Sequence, residues 1–452
     1  AQLKPIVESA GMSCLATDLN AEIFAWTTTH SKVDNLLRFF FDEFLVDDVK
    51  VELFDLFKEV AEQILSWKPK IVGLSLFSYV SQSSAKWLAW FIKKIDPTVI
   101  IILGGAGCLP TFTGPSVYAD DLISAGWVDY HIRGDGEHAL YEFLKDNREY
   151  AGINSLEWRE LSKDEMRSLP MPDYSQYYFD TYQKKVLPLT GSRGCVRKCT
   201  FCDYIANWKV FNWRTADDIY NEMQVQYQKY GIRYFKFQDS LTNGNMKEFV
   251  RLTEMLSAYN TANPDKSFRW SGYYIFREHN SKTEYEWEMV AASGAESLAV
   301  GIENLNQHIR YAIGKKFSNE AIDVHLALAQ KHNIRLQLLN IVGYVNETED
   351  DINFIKQWLR DHTVYQDILH LQFGGTLGIF PNTWLDRNWE KLGLERTNDS
   401  PQGWVNRAID STPEKRARWA QEINKLGTNL GYSVADNLDN HYILESMIND
   451  KI

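Results

Sequence analysis

The sequence predicts an α/β protein: a doubly wound N-terminal domain, then a partial (β/α)6 barrel, then a mostly helical C-terminal region. Three observations predict it. Continuous apolar strands alternate with helical segments in the first region, the pattern of parallel strands covered on both faces, and a strand-helix unit repeats over 186–375. A polar stretch carrying Pro170 and Pro172 interrupts that alternation. The length of 452 residues exceeds one domain of about 100–200 residues. The expected boundaries are 1–150 for the first domain, 151–185 for a linker, 186–375 for the barrel and 376–452 for the C-terminal region.

In the first domain, residues 4–10 read as the end of a helix and 13–18 as a strand. Residues 51–67 form a helix, since Leu53, Phe54, Phe57, Val60, Ala61, Ile64 and Leu65 recur at helical spacing. Residues 71–76 and 99–103 are continuous apolar runs of strand length, with a helix over 84–95 between them. Ligands of such sheets bind at the carboxyl ends of the strands. The turns after Leu76 and after Leu103, where Gly104 and Gly105 lack blocking side chains, are therefore candidate ligand contacts. The chain begins at Ala1 and opens in what should be this domain's first helix, so the first strand is expected to be missing.

In the barrel region the expected strands are 186–190, 233–238, 268–276, 297–300, 335–341 and 368–373. Helices are expected to start near Thr215, Met246, Lys282, Ser318 and Thr348. Thr215 with Asp218 and Thr348 with Asp351 form capping boxes. Six strands are fewer than the full eight-unit barrel, which needs roughly 250 residues.

Composition excludes several classes. Hydrophobic residues at 44% and charged residues at 24% rule out a mainly disordered chain. Lys and Arg number 48 against 60 Asp and Glu, a net charge of −12, so bulk charge gives no nucleic-acid binding. The longest apolar run, 99–103, falls far short of the roughly 18 residues a membrane helix needs.

Five cysteines, an odd and sparse set, argue against a disulfide framework. Three of them, Cys195, Cys199 and Cys202, lie in one loop directly after the first barrel strand, spaced Cys-x3-Cys-x2-Cys. Soft thiolates select zinc, copper(I) or iron–sulfur clusters. A structural zinc normally takes four protein ligands, and no nearby His or fourth Cys completes the set. Three thiolates suit a cubic [4Fe–4S] cluster that leaves one iron open to a small chelating ligand. Arg193, Arg197 and Lys198 place positive charge beside it.

This loop, with Phe201 before the last cysteine and its place after the first strand of a partial barrel, resembles that of the radical S-adenosylmethionine (SAM) superfamily. The resemblance implies that the open iron chelates SAM and that one electron from the cluster cleaves it to a 5′-deoxyadenosyl radical. It also implies SAM contacts at strand ends: Tyr204 beside adenine, Asp239 and Ser240 toward the amino group, and Glu303, in Gly301-Ile302-Glu303, on the ribose hydroxyls. The run Gly343-Tyr344-Val345-Asn346-Glu347-Thr348 is similar to the Gly-Tyr-Pro-Gly-Glu-Thr stretch of one subgroup. Phe380-Pro381-Asn382-Thr383 is similar to the family's Pro-Gly-Thr element.

A doubly wound domain ahead of such a barrel resembles the cobalamin-binding subgroup, which implies cobalamin contacts at Ser75, Leu76, Gly104 and Gly105. The Asp129-x-His131-x-x-Gly134 match to a cobalamin-ligand signature follows those segments instead of preceding them. His131 is therefore expected to be structural. The implied function is a cobalamin-dependent methyltransferase acting on an unactivated centre. The alternatives are a radical SAM cyclase or rearrangement enzyme and a non-catalytic iron–sulfur protein. No catalytic side chain is assigned. The resemblance implies a small-molecule or peptide substrate and a reductant such as flavodoxin or ferredoxin, with no membrane partner. Reduced thiolates imply the cytoplasm. Trp404, Trp419, Tyr432 and Tyr442 are expected in core positions more than in a substrate lid.

Overall fold

The computed structural model describes residues 1–19, 21, 47–76, 81–105, 108, 118–155, 158–182 and 184–434. They fall into two units, one ending at residue 183 and the other beginning at Lys184.

The N-terminal unit runs α1 (Leu3–Ser9), α2 (Asp47–Ser66), β1 (Ile71–Ser75), α3 (Gln82–Ile95), β2 (Ile100–Gly104), α4 (Tyr118–Ser124), β3 (Tyr130–Ile132), α5 (Gly136–Leu144) and α6 (Lys163–Ser168). Its strands form a parallel sheet in the order β1-β2-β3. Side chains alternate faces along a strand, and both faces of β2 are apolar. Ile101 and Leu103 pack with Phe57, Ala61, Ile64, Leu88 and Ile92. Ile102 faces the other way, among Ile132, Ala139, Phe143 and Ile153.

Residues 13–18, expected as a strand, carry no regular secondary structure. Leu15, the one large aliphatic side chain there, is 54% exposed, so the segment has no apolar face to bury. Its backbone bonds to a side chain instead of a ladder: the Gln176 amide accepts from Ala16 N at 2.7 Å and donates to Cys14 O at 3.2 Å. Residues 151–182, expected as linker, cluster with this unit. Asp173 pairs with Lys4, and Asp135 N donates to Arg159 O at 2.7 Å.

The second unit runs β4 (Val186–Leu189), β5 (Ser192–Arg193), α7 (Tyr204–Asn207), β6 (Asn212–Trp213), α8 (Ala216–Tyr230), β7 (Tyr234–Phe237), α9 (Met246–Ala262), β8 (Arg269–Tyr274), α10 (Thr283–Ala292), β9 (Ala295–Glu303), α11 (Gln307–Ile313), α12 (Asn319–Lys331), β10 (Arg335–Val342), α13 (Glu349–Asp361), β11 (Leu369–Thr376), α14 (Trp384–Arg387), β12 (Glu395–Arg396), β13 (Trp404–Val405), α15 (Pro413–Asn429) and β14 (Ser433–Val434). The six expected strands lie side by side in chain order, β4-β7-β8-β9-β10-β11, all parallel. A seventh, β14, pairs parallel with β11.

Both expected capping boxes form, at Thr215/Asp218 and Thr348/Asp351. One face of the strands is apolar and buried: Phe235, Phe237, Leu298, Val300, Ile302, Leu336, Leu338, Leu369 and Leu371 are all at most 2% exposed. The alternate positions Ser297, Ala299, Gly301 and Glu303 point to the opposite face. Trp404, Trp419 and Tyr432 are buried, with Tyr432 donating to Leu359 O at 2.8 Å. Tyr442 lies outside the described residues.

Candidate metal centre

The chain leaves β4 and enters β5, which pairs antiparallel with β6 from beyond the cysteines, so the cysteine loop lies between the two strands of a short ribbon. Gly194 ends that ribbon at φ +79, and a Cβ there would lie 2.0 Å from Val210 O. Only glycine fits both the left-handed backbone and the close approach. The Gly191 carbonyl accepts from Arg214 N at 2.8 Å, and the Arg214 guanidinium donates to Thr190 O and to buried Glu222.

Three of the sequence-predicted SAM residues meet at this ribbon. Asp239 is buried after β7, and its carboxylate accepts from Gly191 N at 2.7 Å and Ser192 Oγ at 2.6 Å. Burial pushes its carboxyl up to about 6, against the pull of those donors. Ser240 Oγ donates to Gly194 O, and Gly194 N donates to Tyr204 OH at 3.2 Å. The Tyr204 ring stacks on Trp208 with centroids 4.5 Å apart.

The middle of the loop is pinned from the other end of the barrel. Cys199 is buried in a cluster that includes Ile309, Ile313, Tyr344, Val345 and Leu377. Thr200 N donates to Ile313 O at 3.0 Å, Thr200 O accepts from Leu385 N at 3.1 Å, and Thr200 Oγ1 lies 2.7 Å from Tyr344 OH. Burial pushes the Cys199 thiol up to about 12 and raises that of Cys202. The three thiols are close enough for Cys195 and Cys202 both to add to the rise at Cys199. As free thiols Cys199 and Cys202 hold their protons, so a metal that binds here must release them.

Glu303, the fourth predicted residue, stands apart from the Asp239 group. Its backbone is left-handed at φ +67, an uncommon state for glutamate. Its Oε1 pairs with Lys315 Nζ at 3.0 Å, and the same Nζ donates to Gly301 O at 3.0 Å. A Cβ at Gly301 would lie 2.6 Å from Glu303 Oε1 and 2.8 Å from Lys315 Nζ, so the pair sits directly over that glycine. Next to it, Asn304 Nδ2 donates to buried Glu347 at 2.5 Å, and Glu347 also accepts from Gly343 N and Tyr344 N. Burial raises the Glu347 carboxyl to about 7. Lys315 and the Asp239–Ser192 contact were not anticipated from sequence. A lysine one residue past a helix-ending glycine reads there as a simple dipole complement.

Among the described residues, no three His, Cys, Asp or Glu side chains converge on one ion-sized position. Cys195, Cys199 and Cys202 are the only cysteines in the sequence of this unit, and three thiolates suit a cubic iron–sulfur cluster, in which each binds a different corner.

In the N-terminal unit, the four residues predicted to touch cobalamin come together at the carboxyl ends of β1 and β2. Ser75 pairs in register with Gly104, and Leu76 N donates to Gly104 O at 2.7 Å. Gly105 sits at φ +99, where a Cβ would lie 2.1 Å from Leu76 O. Among the described residues, the contacts at these strand ends are therefore backbone to backbone. His131 is buried in β3, its Nδ1 3.4 Å from Asp120 and its Nε2 3.5 Å from Ser155 O, with burial lowering its pKa.

Residues 189–359 match the sequence profile of the Radical SAM superfamily. That stretch is a radical SAM domain, and enzymes of that superfamily use a [4Fe–4S] cluster, SAM and a reductant. Among curated proteins, the chain is 21% identical over 324 residues to the anaerobic magnesium-protoporphyrin IX monomethyl ester cyclase of Rubrivivax gelatinosus, covering 67% of this chain and 56% of that one. It is 25% identical over 191 residues to the bacteriochlorophyllide d C-12(1)-methyltransferase of Chlorobaculum tepidum, covering 41% and 40%. The chain spans about half the length of the curated relatives it matches.

In fold it is similar to the radical SAM methyltransferase TsrM from Kitasatospora setae, solved with cobalamin and a [4Fe–4S] cluster. The TM-score is 0.61 at 15% identity over 85% of this chain and 83% of that one. It is also similar to the cobalamin-dependent SAM radical enzyme OxsB, at TM-score 0.59 and 15% identity over 83% and 61%. No described helix is long and apolar enough to cross a membrane.

Proposed function

We propose that this chain is a cobalamin-dependent radical SAM methyltransferase acting on an unactivated carbon or phosphorus centre. The observation that carries it is the paired architecture: strand ends joined backbone to backbone at Ser75-Leu76 and Gly104-Gly105 in one unit, and a three-thiol loop on the first barrel strand of the other. Cys195, Cys199 and Cys202 would hold the cluster. When bound, the cluster supplies an electron to SAM and cobalamin supplies a metal that carries a methyl group.

The chain's own residues then position and exclude. Glu303 offers a fixed carboxylate for ribose hydroxyls, and Tyr204 and Ser240 hold the loop edge against which SAM lies. Asp239 has both oxygens engaged by Gly191 and Ser192, so it serves SAM by positioning that loop. Ser75, Leu76, Gly104 and Gly105 would line the corrin site. We assign the enzyme to the cytoplasm, with flavodoxin or ferredoxin as electron donor and a small molecule or peptide as methyl acceptor.

The test is anaerobic reconstitution with iron, sulfide and hydroxocobalamin, then chromatography of the SAM products formed under a low-potential reductant. One retained corrinoid per chain and corrinoid-dependent S-adenosylhomocysteine are expected. A second reading, a radical cyclase, is favoured by the names of the curated relatives. It predicts 5′-deoxyadenosine without S-adenosylhomocysteine, and that product pattern would replace the methyltransferase reading.

A further inference from the structure

Cys199 and Cys202 stand at the two ends of one tight turn. Cys202 N donates to Cys199 O at 3.2 Å, so Thr200 and Phe201 are the turn's central residues. How this turn is held therefore sets the placement of two of the three thiols.

Each polar group of Thr200 is engaged by a different partner. Its N donates to Ile313 O of α11 at 3.0 Å, its O accepts from Leu385 N of α14 at 3.1 Å, and its Oγ1 lies 2.7 Å from Tyr344 OH. Tyr344 OH donates to Ala312 O at 3.3 Å, so the Thr200 hydroxyl is the donor to the phenol oxygen. The two backbone bonds would form with any residue but proline at position 200, whereas the third needs a hydroxyl there and a phenol at 344.

Tyr344 is fixed from behind. It follows β10 and is buried, its ring in the apolar cluster that holds Cys199, Ile309, Ile313 and Leu377. Buried Glu347 accepts from Gly343 N and, at 3.1 Å, from Tyr344 N. Gly343 sits at φ +80, where a Cβ would lie 2.1 Å from Arg416 Cδ. Arg416 is buried too, stacked over Trp404 and donating to Gln402 O at 2.8 Å and Trp404 O at 2.9 Å. The phenol thus stands on a base held by the fifth barrel strand and the C-terminal region, and reaches a turn more than a hundred residues earlier in the chain.

We propose that Tyr344 is a positioning residue of the metal centre: its hydroxyl, acting through Thr200, fixes the turn that carries Cys199 and Cys202 and so sets two corners of the cluster. Phenylalanine fills the same apolar space, so the part played by the hydroxyl separates from packing. The inference rests on the radical SAM reading of the three thiols.

Wild type, Tyr344→Phe, Thr200→Val, Thr200→Ser and the Tyr344→Phe/Thr200→Val pair are compared. In the metal-free proteins, hydrogen exchange of the peptide spanning 199–202 should be about tenfold faster in Tyr344→Phe and in Thr200→Val. The pair should be no faster than either, and Thr200→Ser should keep the wild-type rate. After anaerobic reconstitution, with iron and sulfide measured, the reduced cluster with SAM should show EPR g-values common to Tyr344→Phe and Thr200→Val and distinct from wild type. Wild-type g-values in a fully loaded Tyr344→Phe overturn the proposal, even where exchange is faster. Additive effects in the pair also overturn it, since two groups that act through one bond do not add. If Tyr344→Phe takes up no cluster, the metal-free exchange decides, and an unchanged rate overturns the proposal. A wild type that binds no cluster refutes the radical SAM reading instead.

Discussion

The cysteine loop and the carboxyl edge of the N-terminal sheet are built by opposite means. The loop is held by side chains: Asp239 on Gly191 and Ser192, Ser240 and Tyr204 on Gly194, Tyr344 on Thr200. The sheet edge is held by backbone, with Leu76 N on Gly104 O and Gly105 seated over the Leu76 carbonyl. A redox centre needs donors at fixed positions, whereas a large flat ligand needs side chains out of the way. Substitutions should therefore act on the two regions in separable ways.

The largest effect is expected at the loop. Cys199→Ala removes a thiol at the centre of a buried cluster of apolar side chains, and SAM cleavage should fall to background while corrinoid retention persists. Parallel assays of 5′-deoxyadenosine and corrinoid absorbance check this. Loss of both would mean that the two regions are one cooperative element.

Gly105→Ala is the converse. Strain at φ +99 costs about 1–3 kcal/mol, and the clash with Leu76 O adds to it. Corrinoid retention and the melting temperature of the N-terminal unit should drop, with iron and sulfide content unchanged. Next comes Asp239→Ala, which leaves Gly191 N buried without its side-chain acceptor and Ser192 Oγ with only the longer contact to Leu241 O. A loss of about 1–3 kcal/mol is expected in denaturant unfolding, together with weaker cluster retention.

A smaller, graded effect is expected with pH. Burial raises Asp239 to about 6 and Glu347 to about 7. Both are above their unfolded values, so the folded protein binds more protons than the unfolded chain in that interval. The stabilisation is complete below the unfolded carboxyl values and is lost as pH rises through about 6–7. The melting temperature should therefore decline between about pH 5 and 8, and Glu347→Gln should flatten the decline. An unchanged slope in that variant would show that Glu347 is ionised throughout. The smallest effect is expected at His131. Its replacement by Gln should lower stability slightly and leave the bound corrinoid spectrum as in wild type, and an altered spectrum would make it a ligand.

The sequence exposed most of what positions the loop. The barrel strands carry buried apolar residues at alternate positions, as in Phe235/Phe237, Leu336/Leu338 and Leu369/Leu371, a local pattern that needs no partner to be seen, and Thr215 and Thr348 announce their helices by local capping chemistry. Strand β14 was invisible because Ser433 and Val434 carry no pattern of their own and pair only through β11. The 13–18 segment misled because the short apolar run Cys14-Leu15-Ala16 resembles a strand whether or not it has a face to bury. At the site, cysteine spacing is local and therefore legible. Asp239 could be recognised as important but not assigned a role, since a carboxylate at a strand end suits a ligand and an anchor equally. Lys315 depends on a fold contact between α11 and a loop more than a hundred residues earlier, and no local pattern encodes that. Asn382 occupies the place of glycine in the Pro-Gly-Thr element and has φ +65, a state that asparagine tolerates, so the departure preserves the turn.

The most direct measurement is EPR of the anaerobically reconstituted, reduced protein before and after addition of SAM. A [4Fe–4S]+ signal whose g-values change when SAM is added is expected, since three thiolates leave one iron free to bind it. A cluster signal indifferent to SAM, or a single tetrahedral metal ion per chain with no cluster, would contradict the open-iron centre at Cys195, Cys199 and Cys202.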